Sequence, residues 1–236
     1  MCAQSAKALS IEAERVSNLL KVIFGSRKSD GFRRACRKRA LEEVLNHPAG
    51  FQTDIGSRYG VRFNNGRCIV LYESEVLSVI SGPDANHANH KALTSVMTNK
   101  PLWTRIRLEL SVMVIVWVAV TGPFHTIVSK NVTYGEVKRC FTVAFATINA
   151  IKYADCSFTR AMSTAESMPH NNDSMTPESL AQINYHWQEA SVTMKKVINK
   201  TLVEAVDKCY KKLETDWEVM SNLPIPLNTR LPWDNR

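Results

Sequence analysis

The sequence predicts a mainly α fold, a helical bundle with a basic N-terminal part and long C-terminal helices. Three observations predict it. Apolar residues recur at spacings of three and four through most of the chain. The most apolar run, Pro101 to Val128 (PLWTRIRLELSVMVIVWVAVTGPFHTIV), begins amphipathic and becomes uniformly apolar. From Glu178 to Met220 there is neither proline nor glycine. Four segments follow from this pattern: a basic N-terminal helical region over 1–82, a central apolar helical core over 83–155, a flexible loop over 156–175, and over 176–236 a long C-terminal helix or helix pair with a proline-rich tail.

Taken in order, Ser10 is placed to cap a first helix carrying Ile11, Val16, Leu19, Leu20 and Ile23 on one face, closed by Gly25. A second helix is expected from about Gly31 to Asn46. Phe32, Cys36, Ala40 and Val44 form its apolar stripe, and Arg33, Arg34, Arg37, Lys38 and Arg39 lie off it. His47-Pro48-Ala49-Gly50 breaks that helix, and Asn64-Asn65-Gly66 signals a turn. Cys68 to Ile80 is readable as strand or helix; Ile69, Tyr72, Val76 and Val79 or Ile80 lean helical. Asp84 is expected to cap a helix reaching about Thr98.

In the central run, Leu102, Ile106, Leu110 and Val114 at spacing four favour helix over a buried strand, although valine and isoleucine are abundant. Gly122-Pro123 ends it, because proline cannot continue the hydrogen-bond ladder. From Leu110 to Val120 the only polar residue is Ser111; that is about half of the roughly 20 apolar residues a membrane-spanning helix needs. The run is expected in a protein core, with membrane association through residues 108–128 as the lesser alternative.

Tyr134 to Ala154 carries Val137, Phe141, Phe145, Ile148 and Ile151 at helical spacing. Cys156 to Ser174 is rich in Ser, Met and Asn and is expected to be loop. Thr176-Pro177-Glu178 reads as a helix start, with a threonine cap, proline at the first position and an acid in the first turn. One apolar stripe then runs Ile183, Trp187, Ala190, Met194 and Val197. A second runs Ile198, Leu202, Val206, Cys209, Leu213, Trp217 and Met220. The shift between them means one curved helix or two.

The 236 residues carry a formal net charge of +8, with 44% apolar and 22% charged residues, an ordinary globular composition. The charge is uneven. Residues 1–67 hold 13 Lys/Arg against 6 Asp/Glu, or +7; the remainder holds 17 against 16, or +1. Between Arg27 and Arg39 seven cations stand against one acid, Asp30. A cationic helix face of this kind suits a polyanion, an import receptor, or plain solvation. Aromatic residues nearby are few (Phe32, Tyr59, Phe63), which favours duplex backbone contact over base stacking.

Other chemistry finds little foothold. No GxGxxG, GxxxxGK[ST], GxSxG or HExxH occurs. His87 and His90 sit three apart without an evident third ligand, and Asp54 and Asp84 read as turn or cap residues. No catalytic residue, metal or cofactor is therefore expected. The six cysteines (Cys2, Cys36, Cys68, Cys140, Cys156, Cys209) are scattered, and the first residues lack the apolar core of a signal peptide. Free thiols in an intracellular setting, nucleus or cytoplasm, are the expectation, which makes the sequons at Asn131, Asn172 and Asn199 chance matches.

The order of ERVSNLLKVIFGSRKS, a basic helix, DIGSRYGVRFNNGRCIVLYESEVLSVI and PLWTRIRLELSVMVIVW resembles hAT-type transposases over about residues 10–128. It is similar to the part of them that follows the second catalytic aspartate. Val61-Arg62-Phe63 stands where that family has a Thr-Arg-Trp-like segment, keeping the arginine and an aromatic. Thr121-Gly122-Pro123 is similar to the end of an apolar helix in degenerate transposon-derived proteins. The resemblance implies the remnant of an RNase H-like α/β core, inactive or domesticated, that keeps nucleic-acid affinity and self-association. It supplies no catalytic residue, since neither the aspartates nor the final glutamate can be placed.

The functional expectation is a non-catalytic, transposon-derived protein binding nucleic acid through Arg33, Arg34, Arg37, Lys38, Arg39 and Arg62. The alternative is a helical interaction or scaffold protein. It would meet a protein partner or a second copy through Ile183, Trp187, Met194, Leu202, Val206, Leu213 and Trp217.

Overall fold

The apolar run is helical from Lys100 to Val116 and continues through a π-helical turn, Trp117–Thr121. Every side chain from Leu108 to Val120 is buried, the behaviour of a helix that is apolar all round. The computed structural model describes residues 9–24, 66, 69–70, 72–82, 86–121, 132–153, 156–167 and 177–231. The fold is mainly α. In chain order the helices are α1 (Ile11–Phe24), α2 (Glu73–Ile80), α3 (Ala88–Thr98), α4 (Lys100–Val116), α5 (Tyr134–Lys152), α6 (Phe158–Ser167), α7 (Pro177–Glu189) and α8 (Val192–Ser221). Among the described residues no strand occurs, and an isolated bridge pairs Thr133 with Arg230. No helix among them is long and apolar enough to cross a membrane.

The chain divides into two units that interleave along the sequence. One comprises residues 9–114 and 176–198; the other comprises 1–8, 115–175 and 199–236. The divisions fall after Val114, two residues before the end of α4, and after Ile198, in the first turns of α8.

In the first unit, Ser10 caps α1 as expected, its Oγ accepting from Ala13 N at 3.2 Å. Ala13, Val16, Leu20 and Ile23 are buried, and α1 packs on α3, which also packs on α2. Ile69, Val70, Tyr72, Val76 and Ile80 join this core. Gly66, expected in a turn, has helical backbone and lies against Leu110 and Val114 of α4. The cap of α3 also departs from expectation. His87 fills it, its Nδ1 accepting from Asn89 N at 3.3 Å; Asp84 lies outside the described residues. His87 is exposed and caps α3, and the His90 ring is its neighbour, 5.8 Å away between centroids.

In the second unit, α5 packs on α6 and on the π-helical turn. Cys156 to Ser174 was expected to be loop, yet α6 occupies Phe158–Ser167, burying Phe158, Ala161, Met162 and Ala165. The Asn199 side chain accepts from Phe158 N at 2.9 Å and so satisfies a donor at the start of α6. Phe145 meets Tyr210 and Trp217 edge-on, Phe141 lies 5.7 Å from Trp217, and α5 runs antiparallel to this part of α8. The start of α5 carries a capping box of Thr133 and Glu136. The tail completes the capping. Tyr134 N donates to Thr229 O at 2.9 Å and Gly135 N to Leu227 O at 2.8 Å. A Cβ at residue 135 would stand 3.1 Å from Leu227 O, so glycine permits this approach.

Candidate functional site

The cationic residues Arg33, Arg34, Arg37, Lys38, Arg39 and Arg62 all lie outside the described residues. The C-terminal stripe is described. Ile183 and Trp187 are buried in the first unit, and Leu202, Val206 and Leu213 in the second; Met194 and Trp217 are half-buried. These side chains pack within the chain itself. The stripe therefore supplies core to both units.

One constellation that the sequence reading did not single out is built in the first unit by three helices. Its centre is Arg107 on α4. Arg107 Nη1 donates to Glu73 Oε2 at the start of α2 in a short ion pair. The other oxygen, Glu73 Oε1, accepts from Trp103 Nε1 at 2.7 Å. The guanidinium carbon lies 5.9 Å from the centre of the Trp103 ring, so the cation is flanked by an aromatic face as well as a carboxylate. On α7, His186 Nε2 stands 3.4 Å from Arg107 Nη1 and 3.3 Å from Gln182 Nε2. Arginine can only donate, so Nε2 accepts and the ring is neutral. His186 is only 5% exposed. Burial, and then the Arg107 cation, hold its pKa down from 6.5 to about 4, with Glu73 pulling the other way.

A second polar cluster ties α1 to α4. Glu109 is 1% exposed. Its Oε2 accepts from Ser10 N at 2.9 Å and Ser10 Oγ at 2.7 Å, while Oε1 accepts from Arg105 Nε at 2.7 Å. A carboxylate at this depth is tolerable because both oxygens are satisfied and a cation adjoins it. In the second unit the ion pairs are shallower: Lys152 with Asp207 at 2.8 Å, and Lys212 with Asp216. Among the described residues no group of three or more His, Cys, Asp or Glu is arranged to hold a metal.

The signal for the Glu73–Arg107–His186 cluster was present but faint. His186 falls three residues after Ile183, a polar residue on an apolar face. Arg107 follows Trp103 by four in a helix whose neighbours are apolar. Nothing in either spacing names Glu73 as the partner, since that pairing spans 34 residues. The chain matches no family model, and no curated protein or solved structure matches it.

Proposed function

We propose that this protein is a non-catalytic nucleic-acid-associated protein that holds a polyanion with its basic N-terminal quarter. The observation that carries the reading is the charge asymmetry: 13 Lys/Arg against 6 Asp/Glu in residues 1–67, with near balance beyond. Salt-sensitive, sequence-independent affinity follows from cations that neutralise phosphates and release their counterions. The resemblance of residues 10–128 to hAT-type transposases adds a transposon origin to the same reading.

The test is duplex DNA binding at roughly 50 and 200 mM salt by the native chain and by a variant with Arg33, Arg34, Arg37 and Lys38 all changed to Gln. Removing about four phosphate contacts lowers the salt slope by about 3.6. The native chain then loses on the order of 10² more affinity than the variant over that range. Binding that is absent, or equal in the two proteins, refutes the proposal. Mg²⁺-dependent cleavage of the DNA by the purified native chain refutes its non-catalytic half.

A further inference from the structure

The three-helix cluster around Arg107 is built around a neutral His186. His186 Nε2 has Arg107 Nη1 and Gln182 Nε2 as its neighbours, at 3.4 and 3.3 Å, and both are N–H groups. A proton on Nε2 would face two donors and stand beside a full positive charge at a position almost closed to water. Among the described residues the groups around the ring are few. From α4 comes Arg107, and from α2 comes Glu73, which is already engaged by Arg107 and by Trp103. On α7 itself the neighbours are Gln182 and the Tyr185 ring, which meets His186 edge-on at 5.6 Å. Lys195, at the start of α8, is directed to the Gln188 carbonyl and the Trp187 ring. No second carboxylate among these groups adjoins the ring to receive an imidazolium. The cheapest response to protonation is for α7 to part from α4, carrying His186 into water.

We propose that the Glu73–Arg107–His186 cluster is an acid-sensitive latch that holds α7 against α4 at neutral pH and releases it when His186 takes up a proton. The direction follows from linkage. The folded chain holds His186 neutral down to about 4, whereas the open form binds the proton near 6.5. Closure is therefore at full strength above about 6.5, weakens as the pH falls toward 4, and changes no further below that. Carboxylates of ordinary pKa titrate at the lower end of this window, so its upper half isolates the histidine. This inference stands apart from the nucleic-acid reading and does not depend on it.

Hydrogen exchange of the full chain between pH 7 and 4.5, corrected for the intrinsic rate, tests it. Peptides from Pro177–Glu189 lose protection by roughly one to two orders of magnitude over that span. Those from Tyr134–Lys152 in the other unit serve as an internal control and hold theirs. His186→Gln keeps a neutral acceptor toward Arg107, and its α7 protection stays flat over the same span. An equal loss in native chain and variant overturns the latch, as does a native α7 whose protection does not change. The native ring, followed by NMR of its Cε1–H, is a check that needs no variant. A His186 that titrates at its ordinary midpoint while α7 stays protected also overturns the proposal.

Discussion

Ser10 performs two jobs with one hydroxyl, and Ser10→Ala removes both. Its oxygen caps α1 by accepting from Ala13 N at 3.2 Å, and its proton goes to the buried Glu109 carboxylate at 2.7 Å. Loss of a serine cap costs about 1 kcal/mol. Loss of a hydrogen bond to a charged group costs about 1.5–3 kcal/mol. The sum is reduced because Ser10 is only half-buried, and because Glu109 keeps the Ser10 amide and Arg105, the latter 40% exposed. The expected destabilisation is about 2 kcal/mol, which lowers the urea midpoint by roughly 1 M at the slope usual for small proteins. Urea unfolding followed by far-UV circular dichroism and by tryptophan fluorescence measures it, and Ser10→Thr recovers most of the loss. A cycle with Glu109→Gln isolates the pair. Glutamine offers one acceptor oxygen where two are used, so the two changes are non-additive by about 1 kcal/mol. A Ser10→Ala loss under about 0.5 kcal/mol, or a cycle additive within that margin, would refute the claim that this contact anchors α1 to α4.

Phe158→Ala empties a fully buried site at the start of α6. It is expected to cost about 3–5 kcal/mol, a fall of about 6–20 °C in melting temperature by calorimetry. Asp207→Asn removes the partner of Lys152, an ion pair with both side chains partly in water. The loss stays below about 1 kcal/mol and fades at molar salt; a larger, salt-independent loss would contradict the shallow placement. The hydrogen bond to Asp207 raises the Lys152 pKa above 10.5, so this small contribution persists through neutral pH and disappears as the pH rises through the raised value.

Local chemistry made several boundaries legible in the amino-acid order. Ser10 caps α1, Thr176-Pro177 announces a helix that does begin at Pro177, and the Leu102–Ile106–Leu110–Val114 spacing identifies α4. The flanking Thr133 and Glu136 form a capping box that was equally readable yet passed over. The sequence hides the helix over Phe158–Ser167 for a physical reason. Its buried face includes two alanines, which contribute little apolar signal, so serine and threonine dominate the composition. Sequence reasoning placed the α3 cap on Asp84, whereas histidine, through a ring nitrogen, does the same work three residues later.

What the sequence by itself determined is the helical class, the starts of α1, α4, α5 and α7, the apolar centre and the concentration of positive charge in residues 1–67. These are properties of neighbours three or four apart, where spacing and capping act. The shift of the C-terminal stripe between Val197 and Ile198 was legible as one curved helix or two; two helices form, α7 and α8, and they divide at Ala190–Ser191, before the shift. The shift coincides with the passage of α8 from one unit to the other, where a different core asks for a different face. Only the tertiary structure decided that passage, the capping of α5 by a tail some 90 residues downstream, and the meeting of Glu73, Arg107 and His186. Each depends on which helices pack together. Apolar burial drives that packing without regard to sequence separation, and it alone determines which polar groups are left facing one another away from water.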